Sequence, residues 1–315
     1  MRKVSIAAIF LVLLSGQAIA AVVEGFVYTA GTFTTIARPG LDTQLIGIND
    51  SGQIVGYSYV GGTNTQVFLY TAGTFTTVPL PLPPGARFAI PYDINDAGQI
   101  VGSFEDSSVN LPRGFLYDAG VLTTIDVPGG IATGVSGISD AGKMVGGFGV
   151  PGGGAQGFIR DSDGSITLFD GPRGDRCCPQ DINDAGQIAG EFFDGTTAHG
   201  YLYDAGQFTI LDPPGSLFTS ARGMNDAGQV VGVFQGADLR TRGFLYSGGS
   251  YTIIDLPGRA TSVEGINDAG QIVGYSYPSS AVPEPGSLFL LGSGLMGSGA
   301  LALRKPRTRE KPRRS

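Results

Sequence analysis

The sequence predicts an all-β protein, a six-bladed β-propeller of four-stranded blades. Three features point there: a unit of roughly 43 residues recurs six times, every copy carries the same two turn signals, and the composition disfavours helices. A unit of that length cannot bury its own apolar face, so copies must stack, as in propellers, solenoids and arrays. One signal reads GINDSGQIVG at 47–56, DINDAGQIVG at 93–102, GISDAGKMVG at 137–146, DINDAGQIAG at 181–190, GMNDAGQVVG at 223–232 and GINDAGQIVG at 265–274. The other reads GFVYTAG at 25–31, VFLYTAG at 67–73, GFLYDAG at 114–120, GFIRDSDG at 157–164, GYLYDAG at 200–206 and GFLYSGG at 243–249. Of 315 residues 52 are Gly and only 15% are charged. Gly, Thr, Val, Ile and Asp dominate the interior, and all are poor helix formers. The hydrophobic fraction of 42% suffices for a core.

In chain order, residues 1–20 read as a signal peptide. Arg2 and Lys3 form the positive end, Ile6 to Leu14 the apolar stretch, and Ala18-Ile19-Ala20 the cleavage site. The mature chain then starts at Ala21, outside the cytoplasm. Residues 24–280 form the repeat body. In the unit at 93–136, Asn95-Asp96-Ala97-Gly98 suits a type I turn closed by a left-handed glycine, a common hairpin connection. A second hairpin turns at Asp118-Ala119-Gly120. Each unit is therefore two hairpins, or four short strands. Apolar residues run on without strict alternation, as in strands covered on both faces. Four strands in about 43 residues is the size of a propeller blade. A β-solenoid with two rungs per repeat is the competing architecture. The body starts with one hairpin type and ends with the other, so two blade phases are open. In one phase the first and last hairpins share a blade and close the ring.

After Tyr277 the composition changes. A Pro-Glu-Pro precedes a nearly uncharged stretch, Ser287 to Leu303, and then a basic end. Those 17 residues span ~26 Å as a helix, a marginal membrane anchor with its basic end cytoplasmic. This order resembles the PEP-CTERM sorting tail of Gram-negative bacteria. The match comprises Val282, Pro283, Glu284 and Pro285, followed beyond the apolar stretch by Arg304, Lys305 and Arg307. The resemblance implies a sorting motif and hydrophobic helix at 281–304, a cytoplasmic tail at 305–315, and cleavage by an exosortase. It further implies a transient inner-membrane anchor, then release toward the cell surface or extracellular matrix. The repeats, with GFLYDAG and GINDAGQIVG as matching segments, resemble the HAF family of extracellular repeats, which implies location and no chemistry.

The body carries 25 acidic and 11 basic residues, a net of −14, which argues against nucleic acid or an anionic membrane as partner. The tight turns set Asp50, Asp96, Asp140, Asp184, Asp226 and Asp268 around one rim, where they serve turn geometry. The opposite face carries unlike linkers, the expected binding surface. Nine arginines fall there: Arg38, Arg87, Arg113, Arg173, Arg176, Arg222, Arg240, Arg242 and Arg259. They suit bidentate contact with an anionic polysaccharide or a surface protein. Alternatively they pair with linker acids such as Glu105, Asp106, Asp126, Asp170, Asp212 and Asp255.

A non-enzymatic binding module is expected, with no cofactor and no metal. The one histidine, His199, has no serine motif beside it, and paired linker carboxylates in a glycosidase or lyase are the enzymatic alternative. Asp161-Ser162-Asp163-Gly164 begins like a calcium loop but lacks the later Glu and aligns with the turns. Cys177 and Cys178, adjacent and the only cysteines, are candidates for a vicinal disulfide, a cross-link or free thiols. Arg173-Gly174-Asp175 matches an adhesion tripeptide that arises readily by chance.

Overall fold

Each repeat folds as two antiparallel hairpins joined into one sheet, and six such sheets form a ring. The computed structural model describes residues 23–61, 64–173 and 177–279. Strands β1 (Glu24–Thr29) and β2 (Thr32–Ile36) open the chain. Blade one follows as β3 (Gln44–Ile48), β4 (Ile54–Val60), β5 (Asn64–Thr71) and β6 (Thr74–Thr77). Blade two is β7 (Ala86–Ile94), β8 (Ile100–Asp106), β9 (Leu111–Asp118) and β10 (Val121–Ile125). Blade three is β11 (Ala132–Ile138), β12 (Met144–Gly149), β13 (Ala155–Arg160) and β14 (Ile166–Phe169). Blade four is β15 (Cys177–Ile182), β16 (Ile188–Phe193), β17 (Ala198–Asp204) and β18 (Gln207–Leu211). Blade five is β19 (Ser216–Met224), β20 (Val230–Gly236), β21 (Thr241–Ser247) and β22 (Ser250–Ile254). β23 (Arg259–Ile266) and β24 (Ile272–Pro278) are the last strands of the body.

The sixth blade has the order β23-β24-β1-β2, so the two ends of the body share a sheet. Gly25 stands opposite Tyr275 in that seam. This selects the ring-closing phase and the propeller over the solenoid.

Both expected turns form. In the first hairpin Gly52 N–H donates to Asn49 O at 3.0 Å, and Gly52 lies at φ +77°. The second hairpin is a two-residue turn with both residues left-handed, Ala30 at φ 48° and Gly31 at φ 87°. That is the type I′ pattern, whose twist matches the strands it joins.

The uninterrupted apolar pairs have a physical cause. Six hydrophobic cores lie between adjacent blades, and neighbouring residues on the second strand feed different cores. Ile100 packs in the core shared with blade one, while Val101 packs in the core shared with blade three. Each core is centred on the aromatic of the second signal, with Phe26, Phe68, Phe115, Phe158, Tyr201 and Phe244 all fully buried. Burial of such a side chain stabilises by about 1.5–3 kcal/mol. The glycine closing the first signal makes room for it. A Cβ on Gly102 would lie 2.1 Å from Ile90 O and 2.8 Å from the Phe115 ring.

Some segments read as linkers are strand. β7 absorbs Arg87 and β19 absorbs Arg222. Register shifts within β7 and β19 allow irregular sequence to keep pairing, and the inner strand lines a polar axis, so its sequence shows no clean alternation.

Candidate functional site

The repeated residues close the ring around its axis. Asn49 Nδ2 donates to Asn95 O at 3.1 Å, and the same bond links Asn95 to Ser139 O, Asn183 to Asn225 O, Asn225 to Asn267 O and Asn267 to Asn49 O. A second belt runs outside it, in which Asp50 N–H donates to Asp96 Oδ1 at 2.7 Å and Asp268 N–H to Asp50 Oδ1 at 2.7 Å. The turn itself is closed by the asparagine, whose Oδ1 accepts Gln53 N–H at 2.9 Å. The rim aspartates thus fasten blade to blade, a role beyond the turn geometry expected of them.

The belt is interrupted once. Ser139 replaces asparagine in blade three, and its Oγ is buried without a hydrogen-bond partner. At that seam Ala141 N–H, not Asp140 N–H, donates to Asp184 Oδ1.

What differs among blades also points inward. All six inner strands carry a β-bulge at the same place, immediately before the residue that precedes Ile or Met of the first signal. A bulge re-aims a side chain. The bulged residues are Ile46, Tyr92, Ser136, Gln180, Arg222 and Glu264, six different residues at one structural position. All but Gln180 line an axial cavity of about 80 Å³ that also takes in the rim aspartates. Arg222 Nη1 bonds Glu264 Oε1 at 2.5 Å and Ser262 Oγ at 3.1 Å, with both charged side chains nearly buried. Burial raises the Glu191 carboxyl, which the Arg222 charge partly offsets.

The position after the bulge is Gly in four blades and Asp in two, Asp93 and Asp181. Asp93 Oδ1 accepts Ile94 N–H at 2.8 Å, and Oδ2 reaches blade three to accept Ile138 N–H at 3.0 Å. Asp181 does the same with Ile182 N–H at 2.7 Å and Met224 N–H of blade five at 2.7 Å. The two carboxyls lie close enough for the Asp93 charge to act on Asp181. Each keeps some surface on the cavity, which is partly open to solvent, while the inner strands bury the rest. Burial is the main cause that pushes Asp93 up to about 6, and burial together with the Asp93 charge pushes Asp181 well above the usual carboxylate range. Gly137 makes room for Asp181, since a Cβ there would lie 2.8 Å from Asp181 Oδ1. Both aspartates are plain in the DIND copies of the signal, and the departure from GIND was the cue to them.

The linker face holds the arginines, mostly in ion pairs. Arg87 bonds Glu105 at 2.8 Å, Arg113 bonds Asp106 at 3.3 Å and also Asp126, and Arg240 bonds Asp255 at 3.0 Å. Arg242 bonds Asp238 and Asp255, and Arg259 bonds Glu24 at 3.2 Å. Arg38 bonds Gln66 Oε1 at 2.7 Å and stacks over Phe68, and Arg173 lies over Phe192. Arg176 lies outside the described residues. Arg222 belongs to the axis.

His199 is clamped by Asp212 at 2.7 Å and Asp194 at 3.4 Å and stacks on Phe192. Burial opposes its protonation, but the two carboxylates raise its pKa overall. The Asp161–Gly164 segment is the hairpin turn, with Gly164 N–H donating to Asp161 O at 2.9 Å. Cys177 and Cys178 are not joined in a disulfide. Successive strand residues point to opposite faces, so Cys177 enters the core beside Phe169 while Cys178 faces the Glu191 side. Among the described residues, no three metal-ligating side chains converge and no helix is long and apolar enough to cross a membrane. The leader, Gly174 and Asp175, and the sorting residues Val282, Pro283, Glu284, Pro285, Arg304, Lys305 and Arg307 lie outside the described residues.

Residues 281–307 match the PEP-CTERM protein-sorting motif, which suggests a secreted, exosortase-processed protein. No curated protein sequence matches the chain. In fold it is similar to putative TolB from Agrobacterium tumefaciens, at 13% identity and TM-score 0.63, over 82% of this chain and 98% of that one. It is also similar to TolB from Acinetobacter baumannii, at 16% identity and TM-score 0.55, over 82% of this chain and 64% of that one. At such identities the likeness is one of fold.

Proposed function

We propose that this chain is a non-enzymatic binding module of the cell surface or extracellular matrix, and that its linker face grips a protein partner. The signal peptide exports it, the tail anchors it briefly in the inner membrane, and an exosortase-type enzyme frees it. The likeness of the repeats to HAF-type extracellular repeats points the same way.

One observation carries the binding reading. Tyr59, Val60, Val109, Ile131, Leu217 and Leu239 stand on the linker face, each between 37% and 59% exposed. On the opposite face the turns are built mainly from Asn, Asp, Thr, Ser, Ala and Gly, and Val121 is the exposed large apolar residue beside them. Exposed apolar groups rimmed by charge mark interaction surfaces. Aliphatic side chains suit a protein partner better than a sugar, which stacks on aromatic rings, and the chain has no Trp. The arginines, already paired with acids, make a salt-bridged rim more than an open cationic patch, which weakens the case for an anionic polysaccharide.

The enzymatic alternative calls on linker carboxylates, and those are largely held in ion pairs with the arginines. The axial carboxyls Asp93 and Asp181 each accept two backbone N–H bonds, which suits a structural role better than glycoside hydrolysis.

The test exposes the released protein to surface-protein extract and to acidic polysaccharides. Protein capture that resists salt and is lost in an Ile131→Asp, Leu239→Asp variant supports the proposal. Binding confined to acidic polysaccharide, lost in salt and on Arg87→Ala with Arg113→Ala, overturns it.

A further inference from the structure

We propose that the axial cavity holds one hydrated divalent cation, seated where the belt breaks between blades three and four. This stands apart from the partner-binding reading, which concerns the other face of the ring.

Two independent features meet at that point. The first is the gap. In five blades the carbonyl of the belt residue accepts a bond from the preceding blade's asparagine; Asn183 O accepts only from Gly186 N–H at 3.0 Å, because Ser139 is too short to reach it. Ser139 is 4% exposed, lines the cavity, and has no partner for its hydroxyl. The seam therefore presents an orphaned hydroxyl and an under-used carbonyl, two oxygens of the kind that hold hard cations or their water shells.

The second feature is the charge. Asp93 and Asp181 come from the blades on either side of blade three and both reach its inner strand, Asp93 Oδ2 at Ile138 N–H, 3.0 Å away, and Asp181 against Gly137. Four blades place glycine at this position, so the carboxyls occur only beside the broken seam. Asp140, on the same seam, is near enough to Asp93 to repel its charge. Across the cavity the one cation, Arg222, is already paired with Glu264.

The ligand chemistry follows from the count. A magnesium-like ion is held by one or two carboxylates and keeps several of its waters, whereas an all-protein cage needs more donors. Two carboxylates with a hydroxyl and a carbonyl behind them fit the hydrated ion.

The test measures uptake of magnesium and calcium by the metal-stripped full chain, by equilibrium dialysis and by thermal unfolding. One ion per chain should bind saturably and raise Tm. Asp93→Asn with Asp181→Asn should abolish that uptake. Ser139→Asn, which installs the residue of the other five blades and fills the gap, should weaken it at least tenfold while raising the Tm of the ion-free chain. That variant keeps the question answerable if the carboxyl variants fail to fold. Asp118→Asn, at an outer hairpin turn away from the cavity, should leave uptake unchanged. Absence of saturable uptake overturns the proposal, as does uptake that survives loss of both Asp93 and Asp181 or falls equally with Asp118→Asn.

Discussion

Replacing alanine by glycine should stabilise this protein, against the usual sign. Ala30, Ala72, Ala119 and Ala205 occupy the first position of the two-residue hairpin turn at φ 46–48°. An L-residue held in that conformation loses about 1–2 kcal/mol relative to the right-handed region. Glycine removes that strain but brings extra freedom to the unfolded chain, worth about 0.4–1 kcal/mol in the other direction. All four methyl groups are exposed, so no burial is lost. The net gain is roughly 0.5–1 kcal/mol per site. The sites belong to four different blades, so the effects should add to about 2–4 kcal/mol. For a body of this size that is a rise in Tm of roughly 5–10 °C. Blade five already uses glycine here, Gly248 at φ 55°. Calorimetry of the four single variants and the quadruple variant reads the effect, with Ala→Asn changes as a second series because Asn tolerates the same conformation. A fall in Tm across the glycine series would refute the reasoning, since it would mean the turns carry no strain.

Asn225→Ala removes bonds to Gln229 Oε1, Gln229 N–H and Asn267 O at a buried position, and should cost about 2–4 kcal/mol in chemical denaturation. Gly102→Ala puts a methyl against Ile90 O and should cost about 3 kcal/mol or more, or prevent folding, as seen by circular dichroism. His199 has a folded pKa raised by its two aspartates. Its stabilisation is therefore complete below the unfolded value, near 6.5, and is lost as pH rises through the folded value. The Tm difference between the native chain and His199→Gln should shrink from pH 5 to pH 9. The Asp93–Asp181 pair also has raised folded values, so in metal-free buffer its contribution falls as pH rises from about 4 through 6 and beyond. Asp181→Asn should gain stability relative to the native chain at pH 8 compared with pH 4, and no change in that difference would count against the cost of burying the charged carboxylates.

Blade number, strand number and both turns were legible because they repeat, and repetition exposes local chemistry. The asparagine turn, the closing glycine and the aromatic of the second signal each have a short-range reason that one copy displays and six confirm. The bonds from Asn49 to Asn95 and from Asp50 to Asp96 are different in kind. They join a residue to its own counterpart one repeat later, and nothing within a single copy reveals them. Blade phase was undecided because hairpin order is cyclic, and only the pairing of β1 with β24 breaks the tie. The arginines were visible as residues, but their partners were only half visible. Glu105, Asp106, Asp126 and Asp255 were named as acids within reach, whereas the move of Arg222 to the axis depends on a bulge that leaves no mark in sequence. Asp93 and Asp181 were in plain sight, and reading them required asking why two copies out of six begin with a carboxylate.

The join between β1 and β24 also sets an order of events. Gly25 and Tyr275 are separated by 250 positions, so the last sheet cannot form until almost the whole body has emerged. Closing so long a loop is slow relative to pairing neighbours in sequence. Until then β23–β24 and β1–β2 each expose an unpaired edge, a state prone to pairing with other chains. A body cut short at either end leaves the same edges bare. The closing seam can therefore form only when both ends of the body are present, and the sorting motif begins within a few residues of its last strand.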